Sequence, residues 1–225
     1  MINIIYSSSN QYFPYCLTSM YSLLENNSEL TDVHFYVLSN NICDTNKERM
    51  RTVCYAHNAS LTFIETEDIK KSIIASGAKL NFNISSFLRI FIPTLLPSLD
   101  KALFIDSDTL IQNGIKELYE TDIENYACGM VYNQPIYKEF LTESKLDATD
   151  GYYNAGVILL NLKYWRHNNI QSKILDFYYS GGGNFGTDDQ SVINAVVARL
   201  TLRLPYKYNA MVVIMYCSFK HMTKF

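Results

Sequence analysis

Two aspartates separated by one residue, Asp106-Ser107-Asp108, directly follow the apolar run Lys101-Ala102-Leu103-Phe104-Ile105. In an extended segment residues two apart project to the same side, so the two carboxylates stand about 7 Å apart or closer. At that separation and an effective dielectric of about 20 they repel by on the order of 2 kcal/mol before screening. A bound divalent cation reverses the sign of that repulsion, and oxygen ligands suit Mg²⁺ or Mn²⁺. Such ions complete their shell with water and substrate phosphates rather than with protein alone, which points to a diphosphate substrate. The plainer alternative is a solvated turn in which Asp and Ser cap the chain after a strand. DSDT alone leaves both open.

Several elements must position this pair. Residues 2–6 are a β-branched and aromatic run ending in the polar loop Ser7-Ser8-Ser9-Asn10, and they read as a buried strand. Leu17, Met20, Tyr21 and Leu24 follow helical spacing, which predicts a helix over about 14–25 closed by Asn26-Asn27. Residues 33–38 and 61–64 are strands by composition, separated by a polar helix around 44–55. This β-α-β-α-β alternation implies a mostly parallel sheet with helices on its faces and ligands beyond the carboxyl ends of the strands. Ser85 is placed to cap a helix carrying Phe87, Leu88, Ile90 and Phe91 and limited by Pro93 and Pro97. Within it Arg89 either covers apolar surface with its stem or pairs in the interior. After the strand at 101–105 the pattern weakens. It predicts strands at 127–132 and 153–160, a helix from 163 to about 179, a flexible turn at Gly181-Gly182-Gly183, and a helix over 188–198. No internal repeat or linker interrupts the chain.

The bulk properties fit one folded domain of 225 residues, with 48% hydrophobic and 18% charged side chains excluding a disordered chain. A net charge of −3 supplies no basic field to gather DNA or RNA, so no nucleic-acid partner is expected. The 18 tyrosines could form a sugar-binding surface but are more simply half-buried packing and compositional bias. Five cysteines without a CxxC pair suit a reduced compartment. No run resembles a signal peptide or a transmembrane segment, and the expected location is cytoplasmic.

Five segments in order, IIYSSSNQYFPYCLTSMYSLL, SSFLRIFIP, KALFIDSDTLI, GYYNAGVILLNLKYWR and TDDQSVIN, resemble the retaining glycosyltransferases of family 8, the lipopolysaccharide galactosyltransferase and glycogenin group. The likeness covers nearly the whole chain. It implies an α/β fold of GT-A type, a Rossmann-like twisted mixed sheet flanked by helices, with a nucleotide-binding half at about 1–112 and an acceptor and sugar half at about 113–225. By the same resemblance the activity is transfer of a hexose from a UDP-sugar to a saccharide acceptor, such as lipopolysaccharide or another surface glycan, with retention of configuration. Asp106 and Asp108 match the metal ligands for Mn²⁺ or Mg²⁺. Ser7, Ser9, Tyr12, Arg89, Ser107 and Asn154 match donor-binding positions, and Asp189 and Gln190 match residues that hold the sugar and carry catalysis. Without the resemblance Asn154 reads as a turn residue and Asp189 as a charge at a helix N-terminus. Peripheral membrane contact is compatible with the family, and the oligomeric state is left open.

The sequence departs from the family pattern in two places. Ser9 stands where an aspartate usually contacts the uracil, although Tyr12 can still stack on a base. At the end nothing matches the family's HxxGxxKPW-like segment, and His221 reads as a tail residue, so a shortened chain with an open, weakened site is expected. Two rivals accompany this reading. One is a phosphatase of the haloacid dehalogenase type, suggested by FIDSDTL, and the other is an impaired or non-catalytic relative that binds nucleotide sugar.

Overall fold

A parallel pair begins the sheet: β1 (Ile2–Ser9) lies against β2 (Val33–Asn40) in register from Ile2 opposite Val33 to Ser9 opposite Asn40. The computed structural model describes residues 1–75, 84–133, 138–147, 149–181 and 188–211. The remaining strands are β3 (Ser60–Glu65), β4 (Lys101–Ile105), β5 (Cys128–Tyr132), β6 (Tyr153–Asn161) and β7 (Thr201–Leu204). They form one sheet in the order β3-β2-β1-β4-β6-β5-β7. β1 is parallel to both β2 and β4, β3 is parallel to β2, and β7 to β5, whereas β6 runs antiparallel to β4 and β5. This is the mixed, helix-flanked sheet the sequence implied.

Strand alternation sends successive side chains to opposite faces. Ile4, Tyr6, Leu103 and Ile105 pack on one face with α1 (Phe13–Glu25) and α2 (Asp44–Ala56), through Cys16, Met20, Leu23, Met50 and Cys54. Ile5, Phe104 and Ile158 face the other layer. α3 (Glu67–Ala75), α4 (Ile84–Phe87), a 3₁₀ turn at Leu88–Phe91 and α5 (Ile92–Leu95) contribute there. α6 (Lys116–Glu120) gives Leu118 to the first face, and α7 (Lys138–Glu143) packs Phe140 and Leu141 on the second. α8 (Leu162–His167), α9 (Ile170–Ser180) and α10 (Asp188–Val197) complete that second layer with Trp165, Ile174, Tyr178 and Ile193. Each fully buried residue of this kind contributes about 1.5–3 kcal/mol, so both faces are needed to hold the strands flat against their helices.

Three expectations are corrected. β1 runs through Ser9 instead of stopping at Tyr6, because parallel pairing with Ser39 and Asn40 uses backbone groups and ignores side-chain polarity. The helix expected from 163 to 179 is two helices: Asn169 takes a left-handed backbone at φ 53°, which Asn tolerates, and this turns the chain between Trp165 and Ile174. Ser85 is not a cap but the second residue of α4, and its hydroxyl accepts from Asn40 Nδ2 at 2.9 Å. The helix expected beyond it is broken by the 3₁₀ turn, and Pro93 opens α5 instead of ending a helix. Gly182, Gly183 and His221 lie outside the described residues.

Candidate functional site

β4 delivers Asp106 at its carboxyl end, where the Asp106 N–H donates to the Gly156 carbonyl at 2.7 Å. A chain of hydroxyls then fixes the turn. Thr109 Oγ1 donates to the Asp106 carbonyl at 2.9 Å, so its only proton is spent and Ser19 Oγ must donate to it at 2.7 Å. Tyr6, in turn, donates to Ser19 at 2.9 Å. Ser107 donates to the Ser7 carbonyl at 2.9 Å, and Ser7 Oγ donates to the Ser85 carbonyl. The aspartate turn is thereby tied to β1, α1 and α4 at once, while Asp108 itself is exposed.

Arg89 settles its two readings in favour of the interior, for it is 5% exposed. The 3₁₀ turn lays its guanidinium over the Phe104 ring at 4.5 Å. Nη2 donates to Asp106 Oδ1 at 2.8 Å, Nη1 donates to the Ala155 carbonyl, and Nε donates to the Ser86 carbonyl at 2.8 Å. Asp189 Oδ2 is also 2.7 Å from Nε, yet that hydrogen is directed at Ser86. The Asp189 contact is therefore ionic, and Oδ2 is buried without a hydrogen-bond donor. Burial alone would lower the Arg89 pKa, but Asp106, Asp189 and Asp108 more than reverse this and hold it above its ordinary value. Burial pushes the Asp106 carboxyl up to about 6 against the pull of Arg89, helped by the negative charges of Asp189 and Asp108. Its side chain is nonetheless a third exposed, so one edge remains open.

β6 supplies the opposite wall. Asn154 pairs with Val131 and Ile158 with Met130, so residues 155–157 bulge out of the β5 ladder. Every polar backbone group of Ala155 and Gly156 is taken up by a residue of this cluster or by its neighbour. Ala155 N–H donates to Gln190 Oε1 at 3.0 Å and its carbonyl accepts from Arg89, while Gly156 N–H donates to Asn154 Oδ1 at 2.8 Å and its carbonyl accepts from Asp106. A Cβ on Gly156 would meet Asn154 Oδ1 at 2.9 Å and Asp106 Oδ2 at 3.0 Å, so only glycine lets these two oxygens converge.

Seven sequence candidates, Ser7, Arg89, Asp106, Ser107, Asn154, Asp189 and Gln190, thus stand close around the carboxyl end of β4 and the bulge of β6, most of them linked through shared backbone groups. Ser9 and Tyr12 sit at the same end of the sheet but outside this network among the described residues. Ser9 Oγ accepts from Tyr12 N–H at 3.3 Å, and the Tyr12 ring is 40% exposed, 5.7 Å from that of Tyr15. Sequence reasoning missed Ser19, Thr109, Gly156 and Asn209, the last donating to Asn154 Oδ1 at 2.8 Å. Ser19, Thr109 and Gly156 lie inside family-like segments, whereas Asn209 lies in none of them. A cleft of about 580 Å³ lies at the opposite end of β4, bordered by Lys101, Asp122 and His167, away from the carboxylates.

Among the described residues no three His, Cys, Asp or Glu side chains form a complete metal cage. Two carboxylates, Asp106 and Asp189, contact one guanidinium, and the Asp106 oxygen not held by Arg89, Oδ2, is the one in the Gly156 gap, with Asp108 exposed in the same turn. Asp106 and Asp108 therefore fit a hard divalent ion that completes its shell from a substrate, as Mg²⁺ or Mn²⁺ does.

Comparison with known proteins then gives a family. The sequence model of glycosyl transferase family 8 matches residues 3–224. A Haemophilus influenzae protein is 26% identical over 202 residues, 87% of this chain and 59% of its own length. General stress protein A of Bacillus subtilis is 24% identical over 220 residues, 96% of this chain and 76% of its own. The lipopolysaccharide 1,2-glucosyltransferase of Escherichia coli is 22% identical over 216 residues, 95% of this chain and 63% of its own. The chain thus spans less than two thirds of two of these three relatives. Among solved structures, galactosyltransferase LgtC in complex with donor and acceptor sugar analogs superposes with a TM-score of 0.80 at 20% identity, over 92% of this chain and 74% of that one. The fold is the GT-A type, and the phosphatase reading of FIDSDTL has no support in these matches.

Proposed function

This chain belongs to glycosyl transferase family 8, and on that premise we propose that it transfers a hexose from a UDP-sugar to a saccharide acceptor with retention of configuration. The observation that carries the proposal is the meeting of Asp106 and Asp189 on the single buried Arg89 beside the Gly156 gap, with Asp108 two residues on in the same turn. Asp106, through its open oxygen, and Asp108 would hold Mn²⁺ or Mg²⁺. When bound, the cation supplies Lewis-acid stabilisation of negative charge on a diphosphate. Arg89 holds Asp106 by its other oxygen and so aims the open one. Asp189, ion-paired with Arg89 through Oδ2, brings a carboxylate that can only accept, the group we assign to a sugar hydroxyl. Gln190 spends its oxygen on Ala155 N–H, which leaves its amide hydrogens for the sugar. Asp189 and Gln190 are accordingly the groups assigned to the reacting hexose.

A lipopolysaccharide or other surface glycan as acceptor is part of the same reading, supported by the Escherichia coli relative. The four cysteines among the described residues, all free, support a reducing, cytoplasmic setting. No described helix is long and apolar enough to cross a membrane. Calorimetry of UDP binding with Mn²⁺ and with EDTA tests the proposal. Tighter binding with Mn²⁺ is expected, together with a loss of about tenfold or more in Asp108→Ala. Equal UDP affinity in all four combinations would remove the cation from this account, and absence of any UDP-glucose or UDP-galactose hydrolysis or transfer would remove the activity.

A further inference from the structure

Asn154 has a side-chain amide whose hydrogen-bonding capacity can be counted. Its Oδ1 has two lone pairs, and two N–H groups fill them: Gly156 N at 2.8 Å and Asn209 Nδ2 at 2.8 Å. A backbone N–H can only donate, so the Gly156 contact requires oxygen on that side of the Asn154 amide. The Asn209 amide must then present its NH₂. Both orientations follow from one backbone hydrogen, with no freedom left to either side chain. On its other side, Asn154 Nδ2 makes only a long contact of 3.4 Å to Asn133 Oδ1. One of its hydrogens is left over.

Asn209 comes from a separate part of the chain, just after β7 and a 3₁₀ turn at Tyr206–Tyr208. Its own backbone is held locally, with N–H donating to the Tyr206 carbonyl at 3.1 Å and its carbonyl accepting from Met211 N at 3.1 Å. The turn is anchored in turn by the ion pair of Lys207 with Glu117. The loop after β7 therefore brings one amide donor against the β6 bulge.

We infer that Asn209 is a positioning residue of the sugar site: by filling the second lone pair of Asn154 Oδ1 it makes Asn154 a pure hydrogen-bond donor toward the ligand. The inference rests on the proposed UDP-hexose function. With its oxygen saturated, Asn154 pairs with an acceptor oxygen of the hexose and cannot accept from a hydroxyl, while the Asp189 carboxylate, ion-paired with Arg89, accepts and cannot donate. The two together define a polarity, one donor and one acceptor, that a hexose has to match. In Asn209→Ala a lone pair is released and the amide becomes able to accept as well. In Asn209→Asp a carboxylate faces Oδ1, and Asn154 cannot escape by flipping because its NH₂ would then meet the Gly156 N–H.

Affinities for UDP, UDP-glucose and UDP-galactose, measured with Mn²⁺ by calorimetry, test this in wild type, Asn209→Ala, Asn209→Asp, Asn154→Ala and the Asn154→Ala/Asn209→Ala double variant. The expected result is that Asn209→Ala weakens the preferred UDP-hexose by about three- to tenfold, the worth of one hydrogen bond, with UDP unchanged. Asn209→Asp weakens it further. In the Asn154→Ala background the second substitution changes nothing more, which a merely structural role would not produce. Should wild type separate UDP-hexose from UDP while Asn209→Ala and Asn209→Asp keep that ratio, or should the two substitutions add, the role of Asn209 is overturned and the transferase reading stands. If wild type binds no UDP-hexose at all, both fall together.

Discussion

At the level of single residues the site is organised around a charge that cannot be removed quietly. Without the Arg89 guanidinium, Asp189 would keep a carboxylate at 5% exposure with no counter-charge. Breaking a buried pair by deleting one partner costs about 3–5 kcal/mol. Lysine would restore the charge but not the fork that reaches Ala155, Ser86 and Asp106 together. Arg89→Lys is therefore expected to lower the unfolding free energy by about 1–3 kcal/mol in urea, the cost of buried acceptors left unpaired, and to abolish turnover. A melting curve unchanged from wild type would refute this. Asp189→Asn and Gln190→Ala touch the sugar rather than the diphosphate, so they should reduce transfer or donor hydrolysis by about a hundredfold while UDP affinity stays within about twofold. Rates equal to wild type would withdraw their assignment.

Among the elements, the β6 bulge decides most, since it turns four backbone groups inward to meet Arg89, Asp106, Asn154 and Gln190. Gly156→Ala places a methyl against Asp106 Oδ2 and Asn154 Oδ1; Asn154 Oδ1 is held by two N–H groups and Asp106 is held through its other oxygen by Arg89, so strain of about 1–3 kcal/mol is expected. The measurable outcome is a weaker Mn²⁺-dependent gain in UDP affinity with metal-free UDP binding preserved; an unaltered gain would show that the two oxygens can move apart harmlessly. How much of this was legible in the sequence varies with range. The strand into Asp106, α1, α2 and the pair of strands β5 and β6 follow from local periodicity, which depends on neighbours a few positions away. α3, α6, α7 and β7 were not anticipated, being short and without a long apolar stripe. The break at Asn169 was hidden because Lys163 to Tyr179 keeps helical spacing on both sides of it. Ser19 and Asn209 were invisible for a different reason: each acts on a residue 55 or more positions away, by hydrogen bonds that leave no periodic trace, whereas Thr109 stood in the DSDT turn itself and bonds Asp106 three residues back. Asp189, Gln190 and Asn154 were found only through the family likeness, since as isolated residues they read as cap and turn.

For the molecule as a whole, the sole tryptophan, Trp165, gives a direct probe, for it is buried at 2% exposure with its ring N–H donating to the Ala127 carbonyl at 2.9 Å. Its emission should shift red in one transition that coincides with loss of helical circular dichroism. Separate midpoints would mean that the two faces of the sheet unfold independently. The thiols offer a second check. Burial lifts Cys16, Cys54 and Cys128 to about 12, so at pH 8 they are protonated and shielded, whereas Cys43 is exposed. Iodoacetamide followed by peptide mapping is expected to label Cys43 and to spare the other three until urea is added; rapid native labelling of Cys16 would contradict the packing of α1 on the sheet. The strand order also sets a timetable. A chain made from its N-terminus completes β1 through β4 by Ile105, and those four parallel strands can pack with α1 and α2 while the remainder is still being synthesised. At that stage Arg89 already has Asp106, but Asp189 does not yet exist, Ala155 N–H has no Gln190, and the β4 edge that β6 will cover stands open. The nascent half-sheet thus presents the open β4 edge until the segment that will make it a binding site leaves the ribosome, and a stall in that interval leaves that edge unpaired beside a guanidinium still short of Ala155 and Asp189.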